Sequence, residues 1–247
     1  MDLSFLTRES AFRAFSTSHL MAMGMLVVAL LISTIYSRSR LSRRGQKRFL
    51  LGVSLIPLMG TSLLIMMKLV EGEFSYLEDL PIHICRVLAI VAPIVYWQEK
   101  PWATGICYFW IMVGTVNAAL TPDLLYDFPH WEYLSYFILH NSLIFLPMYY
   151  VLVMGHRIRH RDLWLAIAAA NGFLLFSLIF NKLVGSNYMY SMHKPETASL
   201  LDYLGPWPWY LVIVQLVGVV LFYTVYLPFV ILDRMTKTQP SHDNKTT

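Results

Sequence analysis

Seven long apolar segments constrain this chain of 247 residues more than any other feature of its sequence. A helix of about 20 apolar residues crosses the hydrocarbon core of a bilayer, which is roughly 30 Å thick. The segments lie at approximately 17–36, 49–70, 81–97, 102–120, 134–154, 162–183 and 208–232. Hydrophobic residues make up 57% of the chain and charged residues 14%, as expected of an integral membrane protein. The sequence therefore predicts an all-α, polytopic protein with seven transmembrane helices in the cell membrane.

The distribution of Lys and Arg predicts how these helices are oriented. Six basic residues lie between positions 38 and 48, and three more lie between 157 and 161. The alternate loops are acidic, because residues 71–79 carry four carboxylates, residues 121–132 carry three, and neither contains Lys or Arg. Cytoplasmic loops retain positive charge, so we expect the N-terminus outside and the C-terminus inside. The basic loops suit anionic lipid headgroups, and no nucleic-acid partner is needed to explain them.

The sequence predicts a single membrane domain. No internal repeat or linker divides residues 1–235, and the polar tail at 236–247 is expected to be disordered and cytoplasmic. The outer loop at 185–207 is rich in aromatic residues and proline. We interpret this loop as an interfacial lid, with an aromatic belt that anchors a helix entrance as the alternative.

Polar side chains concentrate in the outer half of the predicted spans, where each is costly to bury in lipid. They are His83, Cys85, Arg86, Asn117, His140, Asn141, Asn181, Lys182 and Gln215. Because they come from five helices at similar depth, they predict a polar cavity open to the outer leaflet. Hydrogen bonding between helices is the alternative for individual members of the set.

Cys85 and His140 are the candidate catalytic pair within this set. Each falls about one helical turn inside the same face of the membrane. The neighbouring Arg86 and the positive end of the helix that carries Cys85 would both favour a thiolate. His83 is two positions from Cys85 and points to another side of the helix, so a base must come from a different helix. The alternatives are a small packing cysteine and a histidine satisfied by a backbone carbonyl.

Three stretches of the sequence resemble the YwaF-like bacterial integral membrane family. They are DLPIHICRV at 79–87, the segment from WIMVGT to MYYVL at 110–152, and the segment from NYMY to PWPWY at 187–210. Eukaryotic relatives of that family include a cysteine-dependent phospholipid acyltransferase of the endomembrane system. The resemblance implies that Cys85 and His140 are the catalytic pair, and that Asn117 matches the asparagine of the family's fourth span.

These residues predict an enzyme that acts on an acyl lipid at the extracytoplasmic leaflet. Cys85 would attack the ester carbonyl, and His140 would act first as general base and then as general acid. Asn117, helped by Asn187, would donate hydrogen bonds to the tetrahedral oxyanion. An incoming lysophospholipid would make the enzyme a transferase, and water would make it a lipase. Membrane phospholipid and lysophospholipid are therefore the expected partners.

The remaining site predictions concern substrate binding. His83 and Arg86 are expected to hold the headgroup phosphate. Tyr188 is expected to reach the cavity from the outer loop together with Asn187. Neither a cofactor nor a metal ion is required by this chemistry.

Two other classes of function stay open at the level of the sequence. A zinc-dependent lipid hydrolase could draw its ligands from histidines and aspartates on the outer side. These are His19, His83, His130, His140 and His193, with Asp79, Asp123 and Asp127 nearby. A transporter or binding protein could use the same cavity for a lipid or small molecule without cleaving it, although no inverted repeat is recognisable.

Overall fold

The structure is a computed structural model that describes residues 4–7, 10–195 and 200–237. Its α-helices are α1 Thr17–Arg40, α2 Arg43–Ser54, α3 Ile56–Glu71, α4 Ile84–Gln98, α5 Pro101–Trp110, α6 Val116–Leu120, α7 Trp131–Leu152, α8 His160–Val184 and α9 Trp209–Lys237. A π-helical turn, Ile111–Thr115, joins α5 to α6. Short 3₁₀ helices occur at Ser4–Thr7, Tyr188–Tyr190 and Leu200–Leu204. The predicted tail lies outside the described residues from position 238 onward.

The all-α membrane architecture is confirmed, with six helical stretches long and apolar enough to cross a bilayer among the described residues. They are α1, α2 with α3, α5 through α6, α7, α8 and α9. The helix at the predicted third span is shorter than expected, because residues 80–83 form turns and bends and α4 begins only at Ile84. A seventh crossing and the orientation of the termini stay predictions.

Local sequence explains where several helices begin and end. The hydroxyl of Ser16 accepts a hydrogen bond from His19 N and caps α1, a role for which serine is well suited. The long second span is interrupted at Leu55, since Pro57 has no N–H to continue the hydrogen-bond ladder of α2. Gly72 and Gly185 end α3 and α8 with φ values of 75° and 78°, a conformation that glycine adopts without strain.

The basic loops meet at one end of the bundle. Four contacts join them there: Arg38 with Leu152 O, Arg43 with Met154 O, Lys47 with Glu99, and Arg157 with Asp233. The opposite end brings together Lys68 with Asp79, Ser18 with Asp127, and Trp131 with Glu71. The two ends therefore differ in charge, as the loop composition indicates.

α7 is the central helix of the bundle. It packs against α1, α2, α3 and α4, and most of its side chains are buried. α1, α8 and α9 expose most of their apolar residues, as helices that face lipid do. A residue on α7 can therefore be reached from several helices at once.

α3 approaches the backbone of α7 closely at Gly60. A Cβ atom added there would lie 2.7 Å from both Leu139 N and Ser135 O, which belong to the α7 backbone. Small residues allow such approaches between helices in membranes, where close packing replaces the hydrophobic effect as a source of association. Leu139 directly precedes His140 on α7, so the approach fixes the position of the turn that carries His140.

We expect Gly60→Ala to destabilise the protein by about 1–3 kcal/mol, because the added methyl group must push two backbones apart. Thermal unfolding of the purified protein in detergent measures the effect. Gly52→Ala is the matched control, since no atom lies within 4 Å of a Cβ added at that helical position. Equal midpoints for the two variants would contradict this account of the α3–α7 contact.

Candidate functional site

A polar cavity of about 470 Å³ lies at the acidic end of the bundle. Its walls come from α3, α4, the π-helical turn, α7, the pair Asp123 and Leu124, and the pair Met189 and Tyr190. Four of the predicted site residues line this cavity, namely His83, Cys85, Arg86 and His140. The structure thus brings together residues that lie up to 57 positions apart in the chain.

Cys85 is the second residue of α4. Its thiol is free, and so is the thiol of Cys107 in the core. Its Sγ lies 3.6 Å from the hydroxyl oxygen of Thr115, which is fully buried at the end of the π-helical turn. Turns of this kind insert an extra residue into a helix and often occur at functional sites. Here the turn places a hydroxyl group beside the thiol.

His140 is held in one orientation by its own helix. Its Nδ1 lies 2.8 Å from the carbonyl oxygen of Tyr136, and its ring stacks on the Tyr136 ring with centroids 3.9 Å apart. Because a carbonyl can only accept, Nδ1 carries the proton and Nε2 keeps its lone pair. In the part of the chain that the structure describes, no hydrogen-bond partner contacts Nε2. The imidazole is therefore in the tautomer that a general base at Nε2 requires.

Arg86 contributes a positive charge to the cavity. Its Nη1 donates to the carbonyl oxygens of Asp79 and Leu80, at 2.9 and 3.4 Å. The carboxylate of Asp79 is already paired with Lys68 at 2.6 Å. None of the ion pairs among the described residues includes Arg86. Its guanidinium is thus positioned by carbonyl groups, and its charge is available to an anionic group.

The other predicted site residues do not line the cavity. The amide of Asn117 donates to Val113 O on an exposed face of its helix. The amide of Asn187 bonds to His193 O at 2.8 Å and to Met192 N at 3.0 Å, within its own loop. These contacts leave both asparagine side chains engaged with nearby backbone.

Tyr188 is buried and ties two loops together. Its hydroxyl accepts from Leu80 N at 3.0 Å and donates to Tyr76 O at 2.7 Å. Burial raises the pKa of the Tyr188 phenol, so the hydroxyl stays protonated and able to donate. The ring meets His83 edge to face, with centroids 5.3 Å apart. Tyr188 therefore packs against the lining residue His83 without lining the cavity itself.

Met189 and Tyr190, the next two residues, line the cavity instead. Both have positive φ values, 61° and 51°, which are uncommon for residues other than glycine. Asn181 of α8 holds this turn, because it accepts from Tyr188 N at 2.9 Å and donates to Tyr188 O at 2.8 Å. The Sδ atom of Met189 accepts from Ile84 N at 3.4 Å, at the start of α4.

Sequence reasoning missed Thr115, Met189 and Tyr190. The pair Gly114 and Thr115 inside an apolar span was the available signal for an irregular helix. The NYMY sequence was recognised, but the sequence does not reveal which of its side chains turn inward, because that depends on the left-handed residues of the turn.

The described residues contain no ligand set for the zinc alternative. None of their His, Cys, Asp and Glu side chains form a group of three that could hold a metal ion. His19 illustrates the reason. Its Nε2 bonds to Ala119 O at 2.9 Å and its Nδ1 accepts from Phe15 N at 2.9 Å, so both ring nitrogens are engaged by backbone.

Comparison with known proteins identifies the family of this chain. A sequence model of the TMEM164 family matches residues 14–226, which is well over half of the chain. The chain belongs to the TMEM164 family. The matched region includes all residues that line the polar cavity. No curated protein and no solved structure matches the chain. Membership in this transmembrane family agrees with the six apolar helical stretches of the fold.

Proposed function

We propose that this member of the TMEM164 family is a membrane-embedded acyltransferase that moves a fatty acyl group between phospholipids through a thioester on Cys85. The observation that carries the proposal is the shared cavity of Cys85 and His140, in which His140 presents an unprotonated Nε2. A thiol and an imidazole with a free ring nitrogen are the two groups that covalent acyl transfer requires. The resemblance to a cysteine-dependent phospholipid acyltransferase supports the same pair.

In the first half-reaction, Nε2 of His140 takes the proton of the Cys85 thiol. The sulfur attacks the ester carbonyl of the donor phospholipid, so an S–C bond forms and a tetrahedral oxyanion appears. The C–O ester bond then breaks, and His140 returns its proton to the departing lysophospholipid oxygen. The products are a thioester on Cys85 and a lysophospholipid with a free hydroxyl group.

In the second half-reaction, a different lysophospholipid enters with its free hydroxyl group. His140 removes the hydroxyl proton, and the oxygen attacks the thioester carbonyl. The S–C bond breaks, and the thiolate recovers its proton from His140. The exchange conserves the number of ester bonds, so it requires neither a cofactor nor an external energy source.

The start of α4 supplies donors for the oxyanion. Arg86 N and Val87 N both donate to His83 O, which leaves the N–H groups of Ile84 and Cys85 as the first two of the helix. Such groups have no acceptor within their own helix. The acceptor of the Ile84 N–H is a thioether sulfur, which accepts hydrogen bonds only weakly and yields readily to an oxyanion. These two amides therefore take the role that the sequence suggested for Asn117 and Asn187.

Arg86 and His83 are the proposed contacts for the lipid headgroup. Both line the cavity, and the guanidinium charge of Arg86 complements a phosphate. With the predicted orientation, the cavity opens toward the extracytoplasmic leaflet of the cell membrane. The Thr115 hydroxyl would donate a hydrogen bond to the Cys85 sulfur as negative charge develops there.

The proposal is tested with purified protein in lipid nanodiscs. The donor is a phospholipid with one deuterated acyl chain, and the acceptor is an unlabelled lysophospholipid. We expect mass spectrometry to find the label in newly made phospholipid. Without acceptor, we expect an acyl adduct on the peptide that contains Cys85 and none on the peptide that contains Cys107.

The other functions give different results in the same experiment. Release of labelled fatty acid in place of transfer would identify a lipase. Lipid that co-purifies with the protein, without turnover or adduct, would identify a binding protein and overturn the proposal.

A further inference from the structure

A second cavity, the apolar groove, lies beside the polar cavity and has a volume of about 240 Å³. Three parts of the bundle bound it: the end of α5 together with the π-helical turn, α8, and α9. Its lining side chains are almost all aliphatic or aromatic, and they include Trp110, Ile167, Phe173, Leu174, Val214 and Phe222. Gln215 contributes an amide, and the indole N–H of Trp110 is satisfied by Ala166 O at 3.0 Å. The groove therefore suits an uncharged hydrocarbon.

The apolar groove and the polar cavity share a wall. Ile84, Gly114 and Met189 line both of them, and Ile84 directly precedes Cys85. A Cβ atom added to Gly114 would meet no other atom within 4 Å, so open space adjoins the wall at this position. A molecule with a polar part at Cys85 and an apolar part beyond Gly114 would occupy both spaces.

The apolar groove also reaches the outer surface of the bundle. Val214 lines it and is 39% exposed, and the neighbouring Leu216 and Val217 on α9 are exposed as well. This surface belongs to a candidate membrane span, so the hydrocarbon chains of the bilayer surround it. A chain can therefore enter sideways from the membrane without crossing water.

We infer that the apolar groove holds the fatty acyl chain of the donor phospholipid while its ester carbonyl lies at Cys85. The inference rests on the proposed acyl transfer and names the part of the substrate that this groove selects. Met189 would lie between the acyl chain and the rest of the phospholipid, because it lines both cavities and its sulfur contacts the start of α4.

The apolar groove selects acyl chains by shape. A chain that moves from lipid into an apolar groove exchanges one hydrocarbon environment for another, so burial itself provides little binding energy. Discrimination then comes from fit, because chains that leave the groove underfilled or overfill it lose contacts or clash with its walls. The residues of α9 that line the groove, Gly218 among them, should set the preferred chain length.

Photochemical cross-linking tests occupancy without any need for turnover. The protein carries Cys85→Ala, and the probe is an equal mixture of phosphatidylcholine and phosphatidylethanolamine with a diazirine at the acyl terminus. We expect cross-links on peptides of α8 and α9 that line the apolar groove. Gly218→Trp should reduce them about tenfold or more, since it fills the groove.

Gly24→Trp is the matched control, because Gly24 is an exposed helical glycine of α1 that lines neither cavity. Val214→Trp, at the mouth of the apolar groove, is a second variant in case Gly218→Trp does not fold. Cross-links that fall on lipid-facing residues outside the groove, and that neither variant changes, would overturn the inference.

Transfer assays separate this inference from the proposed function. In otherwise wild-type protein, Gly218→Trp should lower transfer of an octadecanoyl group about tenfold or more relative to an octanoyl group. Gly24→Trp should preserve the wild-type ratio. An unchanged ratio in Gly218→Trp, with wild-type transfer intact, would overturn the groove assignment alone. Absence of transfer from wild-type protein would overturn the proposed function, and the cross-linking result would still decide the location of the chain.

Discussion

Cys85→Ala is expected to lower acyl transfer by at least about a thousandfold, because the thioester cannot form without the sulfur. The substitution removes one atom beside a cavity, so the unfolding midpoint should change little. Transfer of a deuterated acyl group and thermal unfolding, measured on the same preparation, give the two readouts. The acyl adduct on this peptide should disappear at the same time.

Cys107→Ala is the matched control for this prediction. Cys107 is buried in the main core cluster and does not line the polar cavity. Its replacement should leave transfer within about twofold of wild type, although a lost core contact will lower stability by roughly 1 kcal/mol. Full transfer by Cys85→Ala, or loss of transfer in Cys107→Ala alone, would show that the nucleophile is a different group.

His140→Ala is expected to lower transfer by roughly 10²–10⁴-fold, the range that general acid–base catalysis contributes. Both half-reactions use Nε2, so the adduct on Cys85 should form slowly and also decay slowly. Rapid-quench mass spectrometry separates the two rates. Added imidazole should restore part of the activity by occupying the space of the missing ring, an effect that a purely structural histidine would not show.

His160→Ala is the control for the histidine substitution. His160 is exposed at the start of α8, at the end of the bundle that carries the basic loops. This variant should transfer acyl groups at the wild-type rate, and imidazole should not affect it. If His140→Ala formed the Cys85 adduct at the wild-type rate, the proposed base would have to be assigned elsewhere.

The sequence predicted the membrane architecture because apolar length and loop charge depend on composition alone. Depth within a helix can also be read from the sequence, since each residue advances about 1.5 Å. Cys85 and His140 were singled out together for this reason, and they line one cavity in the structure. Whether they perform the chemistry stays a prediction.

Rotation about a helix axis is harder to predict than depth. Asn117 has a suitable depth, yet its side chain lies on an exposed face, because the π-helical turn before it changes the register of the helix. Asn181 was assigned to the cavity by depth and instead holds the turn at Tyr188. Such outcomes depend on which neighbours pack against each face, and a single sequence does not state them.

The short length of α4 determines how far the thiol lies from the headgroup layer. Its 15 residues extend about 22 Å, while the hydrocarbon core measures roughly 30 Å. The ion pair of Lys47 with Glu99 anchors the far end of this helix among the basic loops. In the predicted seven-span arrangement, Cys85 at the opposite end would therefore lie several ångströms below the surface of its leaflet, near the boundary between the glycerol ester groups and the hydrocarbon. A lipid in its ordinary bilayer position presents its ester carbonyl near this depth, so the proposed reaction at Cys85 would require the lipid to move mainly sideways.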